Sequence, residues 1–119
     1  MTIEEILSNT NNNIRRLVNE LRKRIGDVPE IDEVVDKRRI IYQYSGEDFC
    51  MINIKKDYLE IDFKDDEILE DPMEFSWKIK PSKKETFDRR MHLKNNFHIE
   101  TAFGLIVQSY NVTKNKMDI

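Results

Sequence analysis

Apolar residues at Ile3, Ile6, Leu7, Ile14, Leu17, Val18, Leu21 and Ile25 recur at helical spacing and fall on one helical face. Thr2 followed by Glu5 fits a reciprocal N-terminal cap. The polar stretch from Ser8 to Asn13 makes a poor helix interior, because short polar side chains compete there for the backbone. The spacing predicts a short helix, a break, and a longer helix from about Asn11 to Arg24. Gly26 then stands just past its end, where a residue without a Cβ is favoured.

The period then changes from helical to alternating. Asp27 to Lys37, with Pro29, reads as a connection. Arg39-Ile-Ile-Tyr-Gln-Tyr44 is rich in β-branched and aromatic residues and predicts a strand. Ser45-Gly46-Glu47-Asp48 reads as a hairpin turn. Phe49 to Ile54 follows as a strand with Cys50, Ile52 and Ile54 on one face, and Lys55-Lys56-Asp57 turns the chain again. From Tyr58 to Lys64, Leu59, Ile61 and Phe63 alternate with Glu60, Asp62 and Lys64, the pattern of an antiparallel strand with one solvated face.

Asp65 to Pro72 reads as an acidic loop, and Met73 to Ile79 as a short helix or irregular turn carrying Phe75 and Trp77. Lys80 to Glu85 is expected to be flexible. Asp88 to Lys94 predicts a fourth strand. Asn95 or Asn96 can cap a final helix to about Tyr110, with a fraying polar tail after Val112. The order points to an α+β fold: two layers, a four-stranded and mostly antiparallel sheet, with the N- and C-terminal helices packed on one face. Residues 1–119 read as a single domain with a short helix or partly ordered arm (1–10), a core (11–110) and a frayed tail (111–119).

Composition changes this picture only by exclusion. The chain has 119 residues, 36% of them charged and 39% hydrophobic. No apolar run approaches the roughly 20 residues of a membrane helix. No basic-then-apolar leader is present, so a cytoplasmic protein is expected. The single Cys50 excludes an internal disulfide framework and a multi-cysteine zinc site. A net charge of -3 excludes a globally basic nucleic-acid binder.

Several chemistries are missing. The three glycines do not form a phosphate loop, and there is no G-x-S-x-G turn. Cys50, mid-strand beside Ile52, reads as a small buried hydrophobe. His92 and His98 have no recognised metal-ligand spacing. The acidic run from Glu60 to Glu74 holds eight carboxylates against Lys64, but it lacks the mid-loop glycine of an EF-hand and reads as a solvated loop. No metal or cofactor is expected.

The basic side is more suggestive. From Lys78 to Lys94 seven basic residues face Glu85 and Asp88, next to Trp77 and Phe87. Such a stretch can grip a phosphate backbone and stack a base. Arg15, Arg16, Arg22, Lys23, Arg24, Lys37, Arg38 and Arg39 form a second set, diluted by acidic neighbours.

The motifs also carry a resemblance. Leu21-Arg22-Lys23-Arg24-Ile25, Arg39-Ile-Ile-Tyr42, Phe49-Cys-Met-Ile52 and the Lys55-Lys56 turn come first. Tyr58-Leu-Glu-Ile-Asp-Phe63, Asp71-Pro72, Arg90-Met-His-Leu93 and Gln108-Ser-Tyr110 follow in order. From about Asn12 to Tyr110 the chain resembles the uncharacterised bacterial and archaeal domain of unknown function family 5655. The resemblance implies a single domain or C-terminal appendage, in some relatives beside DNA-processing modules. Many relatives bear a "predicted transport protein" label, which implies membrane work that no segment here could perform. The family's His-Trp-Gly segment before the fourth strand corresponds to Glu85-Thr86-Phe87-Asp88, which has none of those residues.

Together these readings point to a non-catalytic binding domain, with nucleic acid or a nucleic-acid-processing protein as partner. Lys78, Lys80, Lys83, Lys84, Arg89 and Arg90 are the expected phosphate contacts. The alternative is a protein-interaction module or homodimer using Ile41, Phe49 and Met51 on the open sheet face. The least favoured reading is an enzyme pairing Asp62 with His92 for acid–base work.

Overall fold

The computed structural model describes residues 2–65, 69–82 and 86–118. Helix α1 (Ile3–Ser8) opens on the expected reciprocal cap. The Glu5 amide donates to Thr2 Oγ1, and the Thr2 amide donates to Glu5 Oε1, each at 3.2 Å. Helix α2 (Asn12–Gly26) is capped by Asn11, whose Oδ1 accepts from the Ile14 amide at 2.9 Å. Gly26 is the last helical residue rather than the one beyond it, and Asp27 caps the end in right-handed geometry.

The strands are β1 (Ile31–Asp36), β2 (Arg39–Tyr44), β3 (Glu47–Ile54), β4 (Leu59–Phe63), β5 (Ser76–Lys78) and β6 (Arg89–Leu93). They form one sheet, ordered β1-β2-β3-β4-β6-β5, with every pairing antiparallel. A 3-10 turn (Asn96–His98), capped by Asn95, leads into helix α3 (Ile99–Met117). The α+β class and the helices at both ends agree with the sequence. The sheet has six strands among the described residues, not four.

Both additional strands lie at edges, which explains why the sequence hides them. In β1, Ile31, Glu33 and Val35 share one face while Asp32, Val34 and Asp36 share the other, so apolar and acidic residues are mixed on both. An inward charge is one way an edge strand resists pairing with other chains. Glu33 is held there by Arg22 from α2 and by the Tyr42 hydroxyl at 2.8 Å. β5 is three residues long and is aligned by β6, not by its own pattern.

The β2–β3 turn is tighter than the four residues expected. Ser45 and Gly46 alone form the loop, at φ 49° and 82°. Two left-handed residues match the natural twist of a hairpin, and glycine makes the second one easy.

The core lies between the helices and one face of the sheet. Ile14, Leu17, Leu21 and Ile25 of α2 and Ala102, Leu105 and Ile106 of α3 pack with Ile40, Tyr42, Ile52, Ile61 and Leu93. Ile3, Ile6 and Leu7 of the short helix α1 belong to the same cluster. α3 also continues past Tyr110. Val112 and Thr113 extend its buried side, the helix runs to Met117, and the Tyr44 hydroxyl donates to Asp118 at 2.9 Å.

A register shift between Tyr42 and Gln43 places Cys50 opposite Tyr42 and Asp48 opposite Gln43. Phe49 is the extra residue of a β-bulge. Bulged residues can turn successive side chains to one side of a sheet, and here Phe49 and Cys50 both enter the helix-side core.

Candidate functional site

Among the described residues, the opposite face of the sheet carries no helix. One cross-strand row on it runs Arg39, Asn53, Glu60, His92, and a second runs Val34, Ile41, Met51, Asp62, Arg90, Trp77. Phe49, expected on this face, is on the other: it is fully buried, with its ring 5.6 Å from that of Tyr110. Met51 does face outward but is only 3% exposed, and Arg39 Nη1 lies 3.7 Å from its sulfur. Ile41 is half-buried beside it.

Two of the expected phosphate contacts are committed to the protein itself. Arg90 grips Asp62 with two hydrogen bonds, Nε to Oδ1 at 2.7 Å and Nη2 to Oδ2 at 3.0 Å, and lies 3.6 Å from Glu60. These carboxylates hold the guanidinium pKa above its usual value, with the Asp62 hydrogen bonds as the main cause. Arg89 lies between Asp65 and Asp71 and donates to Ser76 Oγ at 2.8 Å. Asp65 and Asp71 therefore leave the solvated acidic loop expected of them and turn inward. Burial by itself would raise the Asp71 pKa. Hydrogen bonds from the Ser76 hydroxyl and amide and the Phe75 amide, with the Arg89 charge, outweigh it and lower the pKa.

Lys78 and Lys80 are exposed near the β5–β6 edge, whereas Lys83 and Lys84 lie outside the described residues. Phe87 is buried and cannot stack a base. The pair Asp62 and His92 is not formed either: Asp62 sits opposite Arg90, and His92 opposite Glu60, with 3.5 Å between Nε2 and Oε1. Cys50 is fully buried, and that burial, with the nearby Asp62 charge, pushes its thiol pKa up.

A different set of cations converges at the other end of the strands. The two-residue β1–β2 loop supplies Lys37 and Arg38, and the β3–β4 turn supplies Lys55 and Lys56. They line a shallow groove of about 480 Å³ together with Arg39 and Asn53. An adjoining hollow of about 420 Å³ reaches from Arg38, Lys55 and Lys56 to the α1–α2 junction at Asn9, Thr10 and Asn11. The Asn11 side-chain amide donates to the Lys56 carbonyl at 2.7 Å and ties the turn to that junction.

Arg38 donates to the Ile54 carbonyl at 3.3 Å and to Thr10 Oγ1 at 3.4 Å, both neutral acceptors. Among the described residues, Lys37, Arg38, Lys55 and Lys56 make no ion pair. Sequence reading places Lys37 and Arg38 in a diluted basic set and treats Lys55-Lys56 only as a turn. The signal available is that both pairs fall in tight connections of neighbouring hairpins, which meander topology brings to one end.

Next to this groove the uncovered face becomes aromatic. The Tyr58 and His92 rings are 4.4 Å apart, and the Trp77 ring stands edge-on to His92 at 4.9 Å. Trp77 is 42% exposed.

The model of the family described as domain of unknown function (DUF5655) matches residues 3–113. The chain belongs to this family. No curated protein and no solved structure matches it. In this DUF5655 domain the stretch Thr86-Phe87-Asp88 before β6 is structural. Phe87 is in the interior, the Asp88 amide donates to the Phe63 carbonyl at 3.3 Å, and Asp88 Oδ1 accepts from the Asp65 amide at 2.8 Å. Among the described residues no helix is long and apolar enough to cross a membrane.

Proposed function

We propose that this DUF5655 domain is a non-catalytic binding module that holds the phosphate backbone of a nucleic acid in the groove of Lys37, Arg38, Lys55 and Lys56. The observation that carries the reading is that four cations without an ion pair among the described residues line one groove. Arg22, Arg24, Arg39, Arg89 and Arg90 each hold a carboxylate. The four groove cations, drawn from two separate turns, hold none among the described residues. Gathering unpaired like charges costs self-repulsion, and a polyanion relieves it while releasing its own counterions. Lys78 and Lys80, at the opposite end of β6, belong to this reading only as secondary contacts.

The test is fluorescence anisotropy of labelled single- and double-stranded DNA and RNA at low and high salt. Binding that weakens with salt is expected. Replacing Lys55 and Lys56 together with Ala should weaken every ligand and reduce the salt slope by about 0.7 to 0.9 for each phosphate no longer neutralised. An unchanged slope overturns the groove. If no nucleic acid binds at low salt and the protein instead shows a concentration-dependent mass, the alternative of a homodimer through the uncovered face around Ile41 takes its place.

A further inference from the structure

We infer that the nucleic acid held in the groove is single-stranded, and that its bases stack on Tyr58 and Trp77 across the uncovered face of the sheet. The inference rests on the groove reading and adds the class of ligand. Arg39 and Asn53 line the groove and also begin the cross-strand row that continues through Glu60 to His92. The groove thus opens directly onto the aromatic set. Tyr58 follows the Lys55-Lys56-Asp57 turn, and the Lys55 amide donates to its carbonyl at 3.0 Å. A strand whose phosphates lie on Lys55 and Lys56 has its bases beside the Tyr58 ring.

From Tyr58 beside β4 across β6 to Trp77 on β5 the path is about 10 Å, two interstrand spacings. That is a platform for about two or three bases, the number other single-strand-reading sheets accept. These rings are not core residues: they lie on the face away from the helices, and Trp77 keeps nearly half its surface in water. An aromatic face of this kind stacks any base, because every base has a π-face. In a duplex those faces are hidden by neighbouring pairs, so the phosphate groove and the aromatic platform can be used together only by a single strand. Glu60, which lies between them, shares Arg90 with Asp62, at 3.6 Å against 2.7 Å, and accepts from Asn53 at 3.4 Å, so its charge is offset only in part.

Trp77 is the only tryptophan, so its emission reports this platform alone. The experiment titrates the full chain with a single-stranded oligothymidylate, with the same oligomer paired to its complement, and with inorganic polyphosphate. The oligothymidylate should quench Trp77 emission and bind about tenfold more tightly than polyphosphate. Trp77→Ala should lose about that tenfold on the single strand and nothing on polyphosphate, while Trp77→Phe keeps most of the affinity. Circular dichroism checks that both variants fold, and the wild-type quench stands without them. Binding of the oligothymidylate without quenching, or equal affinity for all three ligands, overturns the stacking inference. The groove reading then survives if the Lys55 and Lys56 double variant still weakens binding. Absence of binding to every ligand overturns both.

Discussion

The hydroxyl of Ser109 on α3 donates to the carbonyl of Phe49 in the β3 bulge at 2.8 Å and accepts from the amide of Lys64 at 2.8 Å. One fully buried side chain therefore serves two backbone groups of the sheet. A bulge takes a residue out of the regular ladder, and buried backbone groups left unpaired are costly. Ser109→Ala should lower unfolding stability by about 2 kcal/mol, one hydrogen bond's worth for each orphaned group. Urea denaturation followed by circular dichroism measures it, and a change within a few tenths would mean that water enters to replace the hydroxyl.

Arg90 and Asp62 make the second such link, between β4 and β6. Asp62 is almost without exposure and Arg90 is about one-third exposed. Removing the arginine leaves a buried carboxylate with its main partner gone. Breaking a fully buried pair costs about 3 to 5 kcal/mol, and the exposure of Arg90 brings the expectation for Arg90→Ala to about 2 kcal/mol. The double variant with Asp62→Asn should recover part of the loss, which a double-mutant cycle reads directly.

Acid should unfold this protein through Asp71 and Glu33. Burial alone would raise the Glu33 pKa. Hydrogen bonds from Arg22 and Tyr42 together outweigh it and bring the pKa below its ordinary value. Asp71 is lowered likewise. A folded-state pKa below the unfolded one adds stability above the ordinary carboxylate value, and that stability is lost as pH falls through the lowered one. The urea midpoint should hold at neutral pH and decline below about pH 4. Asp71→Asn and Glu33→Gln should each start lower at neutral pH and decline less. Parallel curves for variant and wild type would show that other carboxylates carry the acid sensitivity.

The helices and the central strands are legible in the sequence because their residues repeat at one period and bury one face: Ile14 to Ile25 in α2, Leu59 to Phe63 in β4. β1 is not, because Glu33 takes an inward position that Arg22 and Tyr42 make tolerable, and Val34 takes an outward one. Phe49 departs from its expected face for a local reason. Strict alternation assigns Phe49 and Met51 to one face, and a single bulge moves Phe49 to the other while leaving Met51 in place.

The candidate site is less legible still, since a sequence shows charge along the chain and not through space. Arg89 and Arg90 sit in the most basic stretch of sequence, yet carboxylates from β4 and the loop after it neutralise them. Lys37, Arg38, Lys55 and Lys56 are split between two short turns, and only strand pairing brings them together.

That contrast yields the last prediction, a comparison of two lysine pairs. Replacing Lys78 and Lys80 with Ala, or Lys55 and Lys56 with Ala, removes the same formal charge from the chain. Long-range electrostatics alone would make the two variants equivalent at low salt. If phosphate binding in the groove dominates, the Lys55 and Lys56 variant is weakened more. Each neutralised phosphate adds counterion release, and two of them change the salt slope by about 1.4 to 1.8. The Lys78 and Lys80 variant should move the slope by less than half of that, because those side chains lie at the far end of β6 from the groove. Anisotropy at several salt concentrations separates the two, and a larger slope change in the Lys78 and Lys80 variant would return the interface to the β5–β6 edge.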